Sequence, residues 1–347
     1  MLVDSPPEQR AETAPAPPTR RVIRGLGLLV SLVILVLVAL ASIAIGAKGL
    51  SPEQVWHGLF QDTGTYGDVV VDERLSRTIL GLLAGAALGL SGAVLQALTR
   101  NPLADPGLLG INAGASAAVV TAITYCGVTS LTGYVWFAFL GAAAVGALVW
   151  FLGGSRGATP VRLALAGTAI SAALYGYLQA VMITDDAALG RMRFWTVGSL
   201  SSATDSTILQ VLPFLVVGTL LALGLARPLN AVAMGDDTAK ALGANLNRTR
   251  ALSMLAATVL SGAATAACGP IAFVGLMVPH VVRSFTGPDL RWILPYATIL
   301  SPVLLLGADV IGRVVARPSE LQVGIITALI GGPVFIFLVR RRRTAQL

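Results

Sequence analysis

Charge is scarce in this sequence. Only 12% of its 347 residues are Asp, Glu, Lys or Arg, about half the share that soluble domains carry. That excludes an ordinary water-soluble domain. Lysine is nearly missing: Lys48 and Lys240 are the only two, and each follows an alanine. No G-x-x-x-x-G-K-[ST] loop therefore exists, and the chain has no P-loop of its own for ATP. There are two cysteines, Cys126 and Cys268, and two histidines. They make neither a disulfide framework nor a metal motif. Both cysteines lie in apolar runs and are expected to pack in the core. Acids inside the apolar runs are equally rare. Asp309 stands alone there, with Arg313 one turn on as an i,i+4 partner. Carriers driven by proton gradients relay protons through several buried carboxylates, so energy for any transport is expected from elsewhere.

What the sequence has in quantity is apolar length. Hydrophobic residues make up 55% of the chain, in runs near the roughly 20 residues that cross a bilayer as a helix. The short alternating segments of a transmembrane barrel do not stand out. The runs predict spans near 25–47, 76–98, 107–126, 132–153, 160–183, 206–226, 250–268, 271–285, 292–315 and 321–339. The expected fold is an all-α integral membrane protein with about ten transmembrane helices. Residues 1–20 are Pro- and Ala-rich and read as a disordered cytoplasmic tail; 21–347 read as one transmembrane domain. The 32 apolar residues from Ala251 to Val282 would make a single helix of about 48 Å, but Gly269-Pro270 breaks it. Arginine placement supports the division. Ten spans with a cytoplasmic N-terminus put 17 cations inside and 7 outside, whereas merging the divided pair gives 13 and 11. The positive-inside rule therefore favours ten spans with both termini cytoplasmic. The net charge of +7 belongs to these membrane flanks, and a nucleic-acid partner is not implied.

Two polar stretches interrupt the apolar pattern on the expected cytoplasmic side. One is "RNPLADPG", residues 100–107, whose two prolines stop helices and whose Asp105 can cap the next one. The other is the loop near 227–250. Within it Gly235, Asp236 and Asp237 start a short helix with acids at its positive end. Lys240, Ala241 and Leu242 continue it, and Gly243 ends it. A small-faced helix outside the membrane suits a groove on a separate ATPase. Elsewhere, Gly81, Gly85 and Gly89 form a stripe that lets helices approach closely, and Gly331-Gly332-Pro333 is expected to break the tenth span.

Several longer blocks are recognisable in order: "RLSRTILGLLAGAALGLSGAVLQALTRNPLADPGLLGINAGA" (74–115), "FWTVGSL" (194–200), "MGDDTAKALG" (234–243), "GPIAFVGLMVPHVVRSFTGPD" (269–289), "GADVIGR" (307–313) and "ELQVGIITALIGGPVFIFLV" (320–339). From about Val22 to Arg343 the chain resembles the FecCD-type permeases, the membrane subunits of ABC importers for iron-siderophores, haem and cobalamin. It departs at Ser76 and Gln322, where the family often has proline. The resemblance implies the large, cobalamin-importer-like permease fold in the bacterial cytoplasmic membrane. It implies a second permease copy or a sister permease, two ABC ATPase subunits that use the ATP, and an extracytoplasmic substrate-binding protein. No cofactor is expected on this chain itself, and a bare metal would find no ligand set in it. Three roles follow from the resemblance. Residues 235–243 couple to the ATPase. Asn101, Pro102 and Leu103 narrow a cytoplasmic gate. Arg74, Arg77, Arg313 and Arg317 meet acidic residues of the binding protein, unless nearby acids (Asp72, Glu73, Asp309) neutralise them locally. A bare-metal ABC permease and an ion-coupled carrier are the more distant alternatives.

Overall fold

The computed structural model describes residues 18–61, 64–128, 130–154 and 160–343. Most of the tail expected over 1–20 lies outside them. Pro18 opens helix α1 (Pro18–Ala44), a position that suits proline because no N–H is needed there. The described residues contain helices and no strand.

Each of the ten apolar runs has become one helix. They are α1, α3 (Tyr66–Thr99), α4 (Ile111–Tyr125), α5 (Leu131–Gly154), α6 (Pro160–Thr184), α8 (Asp205–Gly224), α11 (Leu246–Cys268), α12 (Val274–Thr286), α13 (Leu290–Val315) and α14 (Val323–Arg343). Seven of these are long and apolar enough to cross a membrane, while α4, α12 and the apolar part of α14 are shorter. The 13 residues of α12 rise about 20 Å, less than a hydrocarbon core of roughly 30 Å. Four further helices join them: α2 (Pro52–Phe60), α7 (Asp186–Trp195), α9 (Ala226–Ala233) and the expected α10 (Asp236–Ala241). The unforeseen α2 and α7 are set by caps rather than by hydropathy. Ser51 accepts from Gln54 N, and Asp185 accepts from Ala187 N and Ala188 N.

The 34-residue α3 is the axis of the molecule. Most of its apolar stretch is buried, whereas α1 and α6 leave most of theirs exposed. At about 51 Å it outruns the expected span, starting ten residues earlier than the apolar run, because Thr65 N–H donates to Asp68 Oδ2 at 2.9 Å and caps the polar first turn. The glycine stripe does pack against neighbouring helices. A Cβ on Gly85 would lie 2.6 Å from Pro302 Cα in α13, and one on Gly92 would lie 1.9 Å from Gly275 O in α12.

"FWTVGSL" serves a second backbone junction. Gly198, at φ +79°, threads between Pro270 O and Gly324, whose added Cβ would lie 1.8 Å from Val197 O. Ser199 N–H donates to Cys268 O, and Gly324 N–H to Gly198 O. The break at Gly269-Pro270 is thus filled by backbone from another segment, as a membrane interior requires.

Two expectations are corrected. Gly331-Gly332-Pro333 does not end a helix: Pro333 lies within α14, and the bare Gly331 seats the ring of Phe273. Of the two cysteines, Cys268 is buried but Cys126 is exposed, because it sits at the end of α4 rather than inside it.

Gly85→Ala should lower stability by about 1–3 kcal/mol, read as a lower unfolding temperature in detergent. Gly307→Ala on α13, whose added methyl meets nothing within 4 Å, should not lower it.

Candidate functional site

The chemistry of this chain gathers at the two ends of α3. At one end Arg100 caps the helix in the left-handed region, φ 50°. The loop that follows is built from local hydrogen bonds. Asn101 N–H donates to Gln96 O, and Asn101 Oδ1 accepts from Leu103 N–H at 3.0 Å. Asp105 accepts from Gly107 N–H at 2.8 Å and so caps the one-turn helix Pro106–Leu109. This turn chemistry leaves Asn101 exposed and sets Pro102 and Leu103 half-buried. Pro102 and Leu103 share a narrow crevice with Phe273, Met277, His280 and Phe335 of the α12 and α14 region.

The same end carries the expected coupling helix. In α10, Gly235 precedes the first turn at φ +118°, and Gly243 follows the last at φ +80°. Gly243 N–H donates to Lys240 O and Ala244 N–H to Ala239 O, which closes the helix. Ala239 is buried against Val232 and Leu246. Outward face Asp237, Lys240, Ala241, Leu242 and Gly243, with Leu242 62% and the preceding Met234 60% exposed. Asp236 turns the other way. It receives Arg250 Nη2 at 2.7 Å and also Arg100 Nη2, while Arg100 Nε donates to Val232 O at 2.9 Å. Burial works to raise the Asp236 carboxyl, but the hydrogen bonds from Arg250 and Arg100 outweigh it and hold the group below its usual range. The tie is therefore formed above the ordinary carboxylate pKa of about 3.9. It is lost only as pH falls through the lowered folded value. Beside it, α9 is fastened to the start of α13 by Asn230, which donates to Asp289 Oδ1 at 2.7 Å and accepts from Leu290 N–H.

The other end of α3 holds the arginines. The last carbonyls of α1 have no partners within their own helix; two guanidiniums take them, and a third holds the chain just beyond. Arg74 donates to Ile43 O, Ala44 O and Lys48 O. Arg313 donates to Ser42 O and Ser42 Oγ, and Arg317 to Gly46 O. Gly46 is required by this packing, because a Cβ there would meet the Arg74 guanidinium. Asp309, fully buried, sits at the centre. It pairs with Arg313 at 3.0 Å, as its spacing predicted, and accepts a two-pronged contact from Arg77. Arg77 also reaches Glu320 at 2.7 Å. The acids that neutralise Arg77 are thus Asp309 and Glu320 rather than the exposed Asp72 and Glu73. Ser76, at one of the positions where the family often has proline, donates to Asp205 Oδ1 and ties α3 to α8.

Arg74, Arg77 and Arg313 are buried, with Arg313 only 1% exposed, while Arg317 lies at the surface. All three buried guanidiniums nevertheless line one open cavity of about 560 Å³, together with Glu73, Glu320 and Lys48. The profile of the FecCD transport family matches residues 34–341. This chain belongs to that family. The ferric enterobactin transport system permease protein FepD of Escherichia coli strain K12 is 48% identical over 316 residues, 90% of this chain and 94% of that one. The Fe(3+)-citrate import system permease protein YfmD of Bacillus subtilis strain 168 is 38% identical over 319 residues, covering 92% and 95%. A solved inward-facing ABC transporter assigned to the metal-chelate type matches with TM-score 0.80 at 28% identity, over 91% of this chain and 99% of that one. As a FecCD permease the chain is a multi-pass transport subunit of the bacterial cytoplasmic membrane.

Sequence reading found α10, the loop after α3 and the Asp309–Arg313 pair. It did not find the Arg100–Asp236–Arg250 tie or the part of Glu320. Arg100 is adjacent to Asn101 in sequence but 136 positions from Asp236, and no local pattern joins them. A signal did exist for Asp309: a single buried acid amid four nearby family arginines has to serve more than one of them.

Asp309→Asn should cost about 3–5 kcal/mol, because it strands buried Arg77 and Arg313. Glu320→Gln, at a side chain 35% exposed, should cost about 1 kcal/mol or less. Unfolding in detergent at neutral pH measures both.

Proposed function

We propose that the chain is the transmembrane subunit of an ATP-driven importer that carries an iron-siderophore or similar metal chelate inward by alternating access. The observation that carries this reading is α10. It is anchored by Ala239 and Asp236, and it holds an apolar face, Met234, Ala241 and Leu242, open to a partner. The chain lacks a P-loop, so that partner is the ATPase. Two ATPase subunits would each hold one α10 of a permease pair. The proposed topology puts both termini, α10 and the loop after α3 on the cytoplasmic side.

The exposed face of α6 supports a paired assembly. This helix is the least apolar of the seven long ones, and most of its apolar stretch is unburied. It exposes Thr168, Tyr175, Tyr177 and Gln179, a surface better matched to a second copy and an aqueous path than to lipid. Asn101, Pro102 and Leu103 would narrow the inner end of that path. Asn101 spends its carbonyl on its own turn and keeps its amide N–H groups for a partner. At the opposite end, the arginine-lined cavity would receive an acidic side chain of the binding protein, with Arg317 at the surface beside it. The relatives named above handle different ferric chelates, so the particular cargo rests on the binding protein.

The test is uptake of a radiolabelled ferric siderophore by proteoliposomes holding permease, ATPase and binding protein. Ala241→Trp should leave the amount of membrane-inserted permease unchanged and cut ATP-dependent uptake about tenfold or more, through loss of one packed contact. Wild-type uptake by Ala241→Trp would defeat the coupling role. Uptake that survives inactivation of the ATPase would favour an ion-coupled carrier instead.

A further inference from the structure

A second cavity, of about 700 Å³, opens where α8, α9, α10 and α11 end or begin. Its floor is apolar: Leu220 and Leu221 from the last turns of α8, and Leu252 from α11. Two cations stand over that floor, Arg227 in the first turn of α9 and Arg248 in the first turn of α11. No acidic residue lines the cavity. Both arginines are exposed, and among the described residues neither guanidinium meets a carboxylate or another acceptor. Five other arginines are matched differently. Arg77, Arg100, Arg250, Arg291 and Arg313 all have carboxylate partners within the chain.

We propose that this cleft binds an anionic phospholipid. A phosphodiester offers two guanidiniums the acceptor that the chain withholds. The leucine floor offers an acyl chain a dry surface. The floor also continues in the right direction. From Leu220, 66% exposed, it runs along α8 to Val217, 61% exposed, and along α11 to Leu255, 52% exposed. Those two helices have the length and composition to cross a membrane, so an apolar track leading from a cationic pocket down their flanks is where a lipid tail lies. A docked ATPase would neutralise the arginines but would leave that track empty. Leu242 and Gly243 form the edge of the cleft, which places the lipid beside the coupling helix and gives membrane composition a route to the coupling step.

Native mass spectrometry of the full-length permease tests this. The protein is purified in detergent and titrated with phosphatidylglycerol, with phosphatidylcholine of the same acyl chains, or with inorganic phosphate. One phosphatidylglycerol per chain should be retained about tenfold better than phosphatidylcholine, and phosphate at equal concentration should not displace it. Arg227→Gln with Arg248→Gln should remove the preference, while Lys at both positions should keep most of it. The unfolding temperature in phosphatidylcholine nanodiscs should match wild type for both. Equal retention of the two lipids, undiminished phosphatidylglycerol on the Gln variant, or ready displacement by phosphate would overturn the proposal. So would loss of ATPase co-purification in the Gln variant with lipid retention unchanged, since the cleft would then belong to the protein partner.

Discussion

Backbone-to-backbone contact along α3 is the constraint on which the rest of this structure depends. Gly85 lies against Pro302 of α13, and Gly92 against Gly275 of α12. Side chains at these positions would push the helices apart. In a bilayer, where lipid is as apolar as leucine, close packing of small residues is what holds helices together. Because α3 is fixed along its length, its two ends are fixed too, roughly 50 Å apart. Those ends are where the polar chemistry lies.

At one end the arginines join α1, α3 and α13. Arg74 and Arg313 occupy carbonyls that α1 leaves open, Arg317 holds Gly46 just beyond it, and Asp309 and Glu320 balance Arg77 and Arg313. A buried charge cluster of this kind is costly to break once its partners are desolvated. At the other end, Arg100 joins α3 to α10 through Asp236, one residue before the loop assigned to the gate. The dense polarity of "RNPLADPG" thereby gains a cause beyond stopping a helix. Arg100 reaches α10, Asn101 sets the turn, Leu103 enters the crevice of α12 and α14, and Asp105 starts the next helix. On the proposed function, movement of α10 driven by the ATPase passes to the gate loop through this arginine and along α3 as a rigid element.

Much of this was legible in the sequence. Apolar run length located ten helices, and the Gly269-Pro270 break separated α11 from α12. The stripe of Gly81, Gly85 and Gly89 announced a close contact without naming its partner. The helices that were missed, α2, α7 and α9, are short and are decided by caps and local packing rather than by hydropathy. The early start of α3 was missed for a related reason: the charges of its first turns mark the end of an apolar run but not the end of a helix. Pro333 misled in the opposite direction, because neighbouring helices tolerate a proline that an isolated helix would not. Ion pairs such as Arg77–Asp309 and Arg100–Asp236 join residues far apart in sequence. They need the fold before they can be seen.

The central claim, that Arg100 links the coupling helix to the gate, is tested most directly by the ratio of chelate transported to ATP hydrolysed in proteoliposomes holding the complete complex. With Arg100→Gln, hydrolysis should continue while the ratio falls roughly tenfold, the scale of one lost charge-assisted hydrogen bond. Asp236→Asn should lower the ratio at least as far, because it also releases Arg250, and adding Arg100→Gln to it should do little more, because the Arg100–Asp236 contact is then already lost. A wild-type ratio in Arg100→Gln would contradict the account.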